Sequence, residues 1–155
     1  MGSLLALTAI FPTNAAEATS LIHAKTYKRI GTLSILKLKV TTPIYVGITN
    51  DVFDRGVGQW PGSAKPGTYG NLVIGGHRTS SPRPFSNIDL LRSGDIISIS
   101  VGVTSYKYVV TGHSIVKPTS VWITEQMSSA TLTIFSCNPK GKTTSRYVVR
   151  AVLQT

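Results

Sequence analysis

The chain has 155 residues and a mass of 16.6 kDa, with 41% hydrophobic and 14% charged residues. That is enough apolar content for one compact domain burying roughly 70% of its unfolded surface, and it excludes disorder as the main state. Sixteen Lys and Arg against six Asp and Glu give a net charge of +10 and a pI near 10.1, so the surface attracts anions such as nucleic acid, acidic polymers, or a lipid or cell-wall surface. Cys137 is the single cysteine, which excludes both an intramolecular disulfide and a four-cysteine zinc site.

In chain order, no stretch reaches the ~20 apolar residues of a membrane-spanning helix. The apolar run Leu4–Phe11, followed by Ala16-x-Ala18, resembles the tail of an export signal or anchor without the basic segment that should precede it. Residues 1–20 are therefore expected to be the remnant of a longer anchor or the product of a misplaced start, with a plain N-terminal tail as the alternative. The tail is placed at 1–29 and the folded domain at 30–155.

Leu33 and Ile35 alternate with polar neighbours, the phase slips at Leu36, and alternation resumes through Leu38 and Val40. This predicts a long first strand with a β-bulge, closed by Thr42-Pro43, and a fresh start at Ile44-Tyr45-Val46. Residues 50–70 hold Gly56, Gly58, Pro61, Gly62, Pro66, Gly67 and Gly70, which predicts a shaped loop opened by a short helix at Asp51–Arg55. Asn71–Ile74 reads as a strand buried on both faces that ends at Gly75-Gly76-His77-Arg78. Ser86 is expected to cap a helical turn through Ile88, Leu90 and Leu91, stopped by Gly94. Strands follow at Ile97–Val101 and around Tyr106, Tyr108 and Val110, then an irregular stretch with Val121-Trp122-Ile123. Thr131–Cys137 and Arg146–Leu153 are strands joined by the loop Asn138–Ser145. About eight short strands without βαβ spacing, and no helical period beyond two turns, predict an all-β barrel or sandwich, mostly antiparallel.

Cys137 falls where its strand opens into the Asn138-Pro139 loop. Alternation points Thr133, Phe135 and Cys137 away from the Leu132/Ile134 row, so the thiol is either an accessible nucleophile or, as is common for cysteine, a buried filler. His77 also ends a strand, and thiol and imidazole form a nucleophile and proton carrier only if the fold joins them. His23 and His113 read as structural or surface residues, and three scattered histidines make no metal site. Arg146 opens the strand after Cys137 and could donate to a carbonyl or oxyanion. Arg150, on the same face, is its rival, and either could be a solvated surface charge.

These segments together resemble the sortases, bacterial cysteine transpeptidases that anchor proteins to the cell surface. The signature Thr-Leu-x-Thr-Cys appears as Thr133-Ile134-Phe135-Ser136-Cys137, the histidine motif as Val73-Ile74-Gly75-Gly76-His77-Arg78, and the arginine motif as Arg146-Tyr147-Val148-Val149-Arg150-Ala151. Gly56–Ala64 and Phe85–Asp95 extend the likeness over roughly residues 30 to 155.

The resemblance implies an eight-stranded sortase-type β-barrel with one or two short helical turns, and catalytic roles for His77, Cys137 and Arg146. Trp60, Thr133, Phe135 and Ser136 are expected to contact substrate. Cys137 would attack the Thr–Gly bond of a Leu-Pro-x-Thr-Gly or Leu-Ala-x-Thr-Gly signal, His77 would protonate the departing amine, and Arg146 would hold substrate and oxyanion. The acceptor would be the amine of a lipid-linked peptidoglycan precursor (lipid II) or a pilin lysine. This chemistry requires no metal or organic cofactor. The expected partners are surface proteins with C-terminal sorting signals, not nucleic acid. The protein would act as a monomer on the extracellular face of the cell membrane, anchored there in its native full-length form.

The short loop between Cys137 and Arg146 and the Pro-Gly segment before His77 look most like class E, with classes D and F near, although Gln59-Trp60 stands where class E commonly has His-Tyr. Two rivals stand beside this reading. One is a basic nucleic-acid-binding barrel using Tyr106 and Tyr108 for stacking; the other is a sortase-like barrel that binds peptide without turnover.

Overall fold

The computed structural model describes residues 25–155, so the anchor-like run at residues 1–20 lies outside the described residues. Eight strands close into a barrel: β1 (Arg29–Ile35), β2 (Val40–Val46), β3 (Val57–Gln59), β4 (Gly70–Gly76), β5 (Ile96–Val101), β6 (Thr104–Val116), β7 (Ala130–Asn138) and β8 (Ser145–Leu153). They run round the barrel in the order β1-β2-β3-β4-β7-β8-β6-β5. Pairing is antiparallel except at two seams, β2 with β3 and β4 with β7. The fold is the all-β barrel expected, with one helical turn, α1 (Asn50–Phe53), and three short 3-10 turns. Among the described residues, no helix is long and apolar enough to cross a membrane.

Period-two patterning builds the interior. Leu33 and Ile35 of β1, Ile97 and Ile99 of β5, Tyr108 and Val110 of β6, Leu132 and Ile134 of β7, and Tyr147, Val149 and Ala151 of β8 form one core. The β4–β5 connection adds Phe85, Ile88 and Leu91 to it. Each large aliphatic side chain buried this way contributes roughly 1.5–3 kcal/mol. The unbroken apolar run of β4 has its physical cause here, since every residue from Gly70 to Gly76 is buried.

Three local expectations are corrected. The phase slip at Leu36 is not a bulge but a hairpin turn: Leu36–Leu38 form a 3-10 turn ended by Lys39 at φ 53°, and Ile35 pairs with Val40. One long strand is therefore two antiparallel ones. Pro43 does not close a strand but lies within β2, opposite Thr32. Its missing N–H is tolerated because β3 joins β2 only from Ile44 onward. Ser86 does not cap the turn at Ile88–Leu90; Asn87 holds that position and makes no side-chain cap bond. The shaped loop at 50–70 also contains the short strand β3, hidden in the sequence by its three-residue length. The rest of that loop is tied to the barrel: Gly67 N–H donates to the Tyr108 hydroxyl at 2.8 Å, and Trp60 N–H to the Val73 carbonyl at 2.8 Å.

Candidate active site

The parallel β4–β7 ladder sets the site. Val73 pairs with Thr133 and Gly75 with Phe135, so the ladder ends two residues before both His77 and Cys137, which leave it side by side in sequence register and line the same cavity. The antiparallel β7–β8 ladder then pairs Cys137 directly with Arg146. Residues scattered over 70 positions of sequence thus converge on adjacent strand ends, and all three line one cavity of about 580 Å³. As alternation required, the thiol faces away from the row of Leu132 and Ile134, and Cys137 is partly exposed rather than buried filler.

Gly75 and Gly58 make room for the wall beside His77. A Cβ on Gly75 would stand 2.5 Å from the Phe135 ring and 2.9 Å from the Phe53 ring. One on Gly58 would stand 3.0 Å from both Val52 and Phe53. α1 therefore seats directly against the barrel, and the Phe53 ring meets the His77 imidazole edge-on, 5.5 Å between centroids. Immediately after α1, Asp54 Oδ1 lies 2.9 Å from His77 Nε2. Facing that wall, Trp60 and Phe135 form another edge-on pair at 6.3 Å and supply apolar cavity surface.

Arg146 donates from Nη1 to the carbonyls of Thr143 and Ser145, both at 3.0 Å, and no carboxylate pairs with it among the described residues. Its guanidinium stays open to the cavity. Arg150, its sequence rival, lies four residues away opposite Thr133, with its guanidinium 5.7 Å from the Trp122 ring. Burial there pushes its pKa down, partly opposed by the charge of Glu125.

Beneath Cys137 stands a residue to which the sequence reading gave no role. Arg78 is 5% exposed; its Nη1 donates to Asn138 Oδ1 at 2.6 Å and lies 3.5 Å from the Cys137 carbonyl. Its Nη2 forms an ion pair with Asp89 Oδ1 at 2.9 Å. The guanidinium also covers the Tyr147 ring at 5.4 Å. Asp89 is partly buried, which opposes ionisation, yet backbone and Arg78 hydrogen bonds and the charges of Arg78 and Lys140 hold its carboxyl below the usual range. Burial pushes the Tyr147 phenol up.

Of the four expected substrate contacts, Trp60, Phe135 and Ser136 line the cavity, and Thr133 does not. Thr133 has no exposed surface, because its hydroxyl donates to Asn71 Oδ1 at 2.7 Å under the β6–β7 connection. Ser136 lies on the inward phase of β7 and is only 1% exposed, so it meets the cavity through little surface, with its hydroxyl unpartnered among the described residues. Asn71, also missed, binds that connection through its Nδ2, which donates to the carbonyls of Ile123 at 2.8 Å and Glu125 at 3.0 Å. A polar residue opening an apolar strand was the available signal. No group of three or more His, Cys, Asp or Glu is placed to hold a metal ion among the described residues.

A thiol, an imidazole and a guanidinium with no carboxylate partner among the described residues, together on one β-barrel cavity, define a site suited to acyl transfer at a carbonyl. Residues 33–154 match the sortase domain model, and the chain belongs to the sortase family. It is 27% identical over 141 residues to Sortase D of Bacillus subtilis (strain 168), spanning 88% of this chain and 70% of that protein. Among solved structures, it is similar to a Clostridium perfringens Sortase D5 transpeptidase, at 30% identity and TM-score 0.75 over 92% of this chain and 89% of that one. A lid mutant of sortase A from Corynebacterium diphtheriae superposes with TM-score 0.79 at 27% identity, over 85% and 73% of the two chains. The protein is a transpeptidase of the sortase type.

Proposed function

We propose that Cys137 is the nucleophile of a two-step transpeptidation on a C-terminal sorting signal of the Leu-Pro-x-Thr-Gly or Leu-Ala-x-Thr-Gly kind. The observation that carries this reading is the convergence of Cys137, His77 and Arg146 on one cavity, with Cys137 and Arg146 as direct cross-strand partners. The Cys137 thiolate attacks the Thr carbonyl, an S–C bond forms, and the C–N bond to Gly breaks as His77 gives its proton to the departing amine. Arg146, which pairs with no carboxylate among the described residues, donates to the substrate carbonyl and to the oxyanion formed on it. An acceptor amine then attacks the thioester and transfers a proton back to His77, regenerating the thiolate. Trp60 and Phe135 bear on the apolar part of the signal.

The acceptor in this reading is a peptidoglycan-precursor amine or a pilin lysine, and the enzyme works on the outer face of the cell membrane. Within the family the reading is class E, with classes D and F near, on the short loop between Cys137 and Arg146 and the Pro-Gly segment before His77, and Gln59-Trp60 departs from the class E pattern. The similar structures include sortases of classes A, C and D.

The test is mass spectrometry of the protein incubated with each peptide and hydroxylamine, with Cys137→Ala as control. A Thr-hydroxamate product that disappears in the control is expected. A product that persists in the control, or its absence with both peptides from folded protein, overturns the assignment.

A further inference from the structure

Asp54 belongs to no sequence motif considered above, yet it meets the imidazole that the reaction uses. Its Oδ1 is 2.9 Å from His77 Nε2. An ionised carboxylate only accepts hydrogen bonds, so the proton of this contact sits on Nε2, and Nδ1 is the ring nitrogen left for proton exchange within the cavity. The ring plane is fixed as well, since Phe53 packs edge-on against it. Both constraints come from α1, which is seated by the absence of side chains at Gly58 and Gly75. The Asp54 amide donates back to the carbonyl of Asn50 at 2.8 Å, and Asp54 is the C-terminal cap of that turn.

Solvent access separates the two partners. His77 keeps 16% of its side-chain surface and Asp54 keeps 61%. An ion pair with so exposed a carboxylate adds little to stability, so a gain in folding energy does not account for the contact. Besides His77, the charged or titratable side chains that line this cavity are Cys137, Arg146, Arg78, Lys117 and Lys142. None of them is an acid, which leaves Asp54 as the carboxylate in contact with His77.

We propose that Asp54 is a positioning residue: it holds His77 with Nε2 protonated and the ring turned so that Nδ1 serves the thiol and the leaving amine. This inference rests on the assignment of His77 as proton carrier. The acid does not touch substrate and takes no proton in the reaction; it orients the residue that does.

The experiment compares wild type, Asp54→Ala and Asp54→Asn by two readouts, with Asp54→Ala first shown by its circular dichroism and melting to be folded. The first is the 15N-coupled His77 Nε2–H signal in NMR, assigned by its loss in His77→Gln, which needs no turnover. The second is kcat and KM for peptide cleavage. A slowly exchanging Nε2–H signal is expected in wild type, lost in Asp54→Ala and retained in Asp54→Asn, whose side-chain carbonyl still accepts the bond. The kcat of Asp54→Ala should fall roughly tenfold, a part of the ~10²–10⁴ a placed general acid supplies, with KM unchanged and most of the loss recovered in Asp54→Asn. A folded Asp54→Ala that keeps the protected signal or wild-type kcat overturns the proposal, as does an equal fall in both variants. If wild type cleaves no peptide but shows the protected signal, the function assignment fails while the Asp54–His77 contact stands.

Discussion

Two guanidinium groups stand beside the end of β7, and the protein holds them in opposite ways. Arg78 is 5% exposed and committed through both terminal nitrogens and one face, to Asn138, Asp89 and the Tyr147 ring, with Nε alone left unpartnered among the described residues. Arg146 is met by two backbone carbonyls through a single nitrogen and pairs with no carboxylate among the described residues. A buried guanidinium must be paired or it destabilises the fold, whereas one left unpaired at a cavity rim has donors to spare for a ligand. The same residue type is thus a brace at position 78 and a free hand at position 146.

The two positions should separate cleanly on mutation. Arg146→Ala is expected to lower kcat/KM by on the order of 10²–10³-fold, the loss typical of an oxyanion donor, with thermal unfolding nearly unmoved. Arg78→Ala should show the reverse emphasis, losing about 2–4 kcal/mol in denaturant unfolding because Asn138 and the partly buried Asp89 lose their partner. Arg78→Lys should recover little of that stability, since an ammonium cannot reach Asn138 and Asp89 as a planar fork while covering the Tyr147 ring. An Arg146→Ala variant that unfolds early but turns over normally would invert the comparison. Arg150 sharpens it further: Arg150→Ala should leave kcat/KM within a few-fold of wild type and cost about 1 kcal/mol of stability through lost packing under Trp122.

Asn71 offers a smaller test on the opposite wall. It binds the β6–β7 connection through two carbonyls and accepts from Thr133, so Asn71→Ala leaves two buried groups, the Ile123 carbonyl and the Thr133 hydroxyl, and one part-buried carbonyl short of a partner. A loss of about 2–3 kcal/mol is expected, together with a raised KM, because Ile123 and Thr124 of that connection line the cavity. Unchanged KM in a destabilised variant would show that the connection keeps its place without this bond.

The residues legible in the sequence are those fixed by strand alternation and by short motifs. The outward phase of Cys137 followed from Leu132 and Ile134 alone, and the nearness of Arg146 from one short loop. His77 could be joined to Cys137 only through the resemblance, because parallel pairing of β4 and β7 leaves no local trace. The same holds for Asp54, Arg78 and Asn71, whose partners are 23, 60 and 52 residues away. Reading alternation as exposure also failed at Thr133. It is on the outward phase, but the β6–β7 connection crosses over it, and no pattern within β7 announces a cover supplied by another segment. The hairpin at Leu36–Lys39 reads as a bulge in the sequence because four connecting residues between the paired Ile35 and Val40 shift the phase of alternation just as a bulge does.

The smallest expected effect separates the braced guanidinium from the open one by acidity. The Asp89 carboxyl is held below its ordinary range: backbone and Arg78 hydrogen bonds and nearby positive charge outweigh its partial burial. A carboxylate whose folded pKa is depressed adds stability that is complete above its unfolded pKa, about 3.9, and is lost as pH falls through the folded value. Asp95, lowered chiefly by its hydrogen bond from Lys37 despite some burial, acts in the same direction. Wild type should therefore lose stability as the pH is taken below about 4, and Asp89→Asn should flatten part of that decline. The flattening should vanish in an Arg78→Ala background, where the ion pair is already gone, and persist in Arg146→Ala. Equal flattening in both backgrounds would mean that Asp89 senses the general positive field of the chain rather than the buried arginine beneath Cys137.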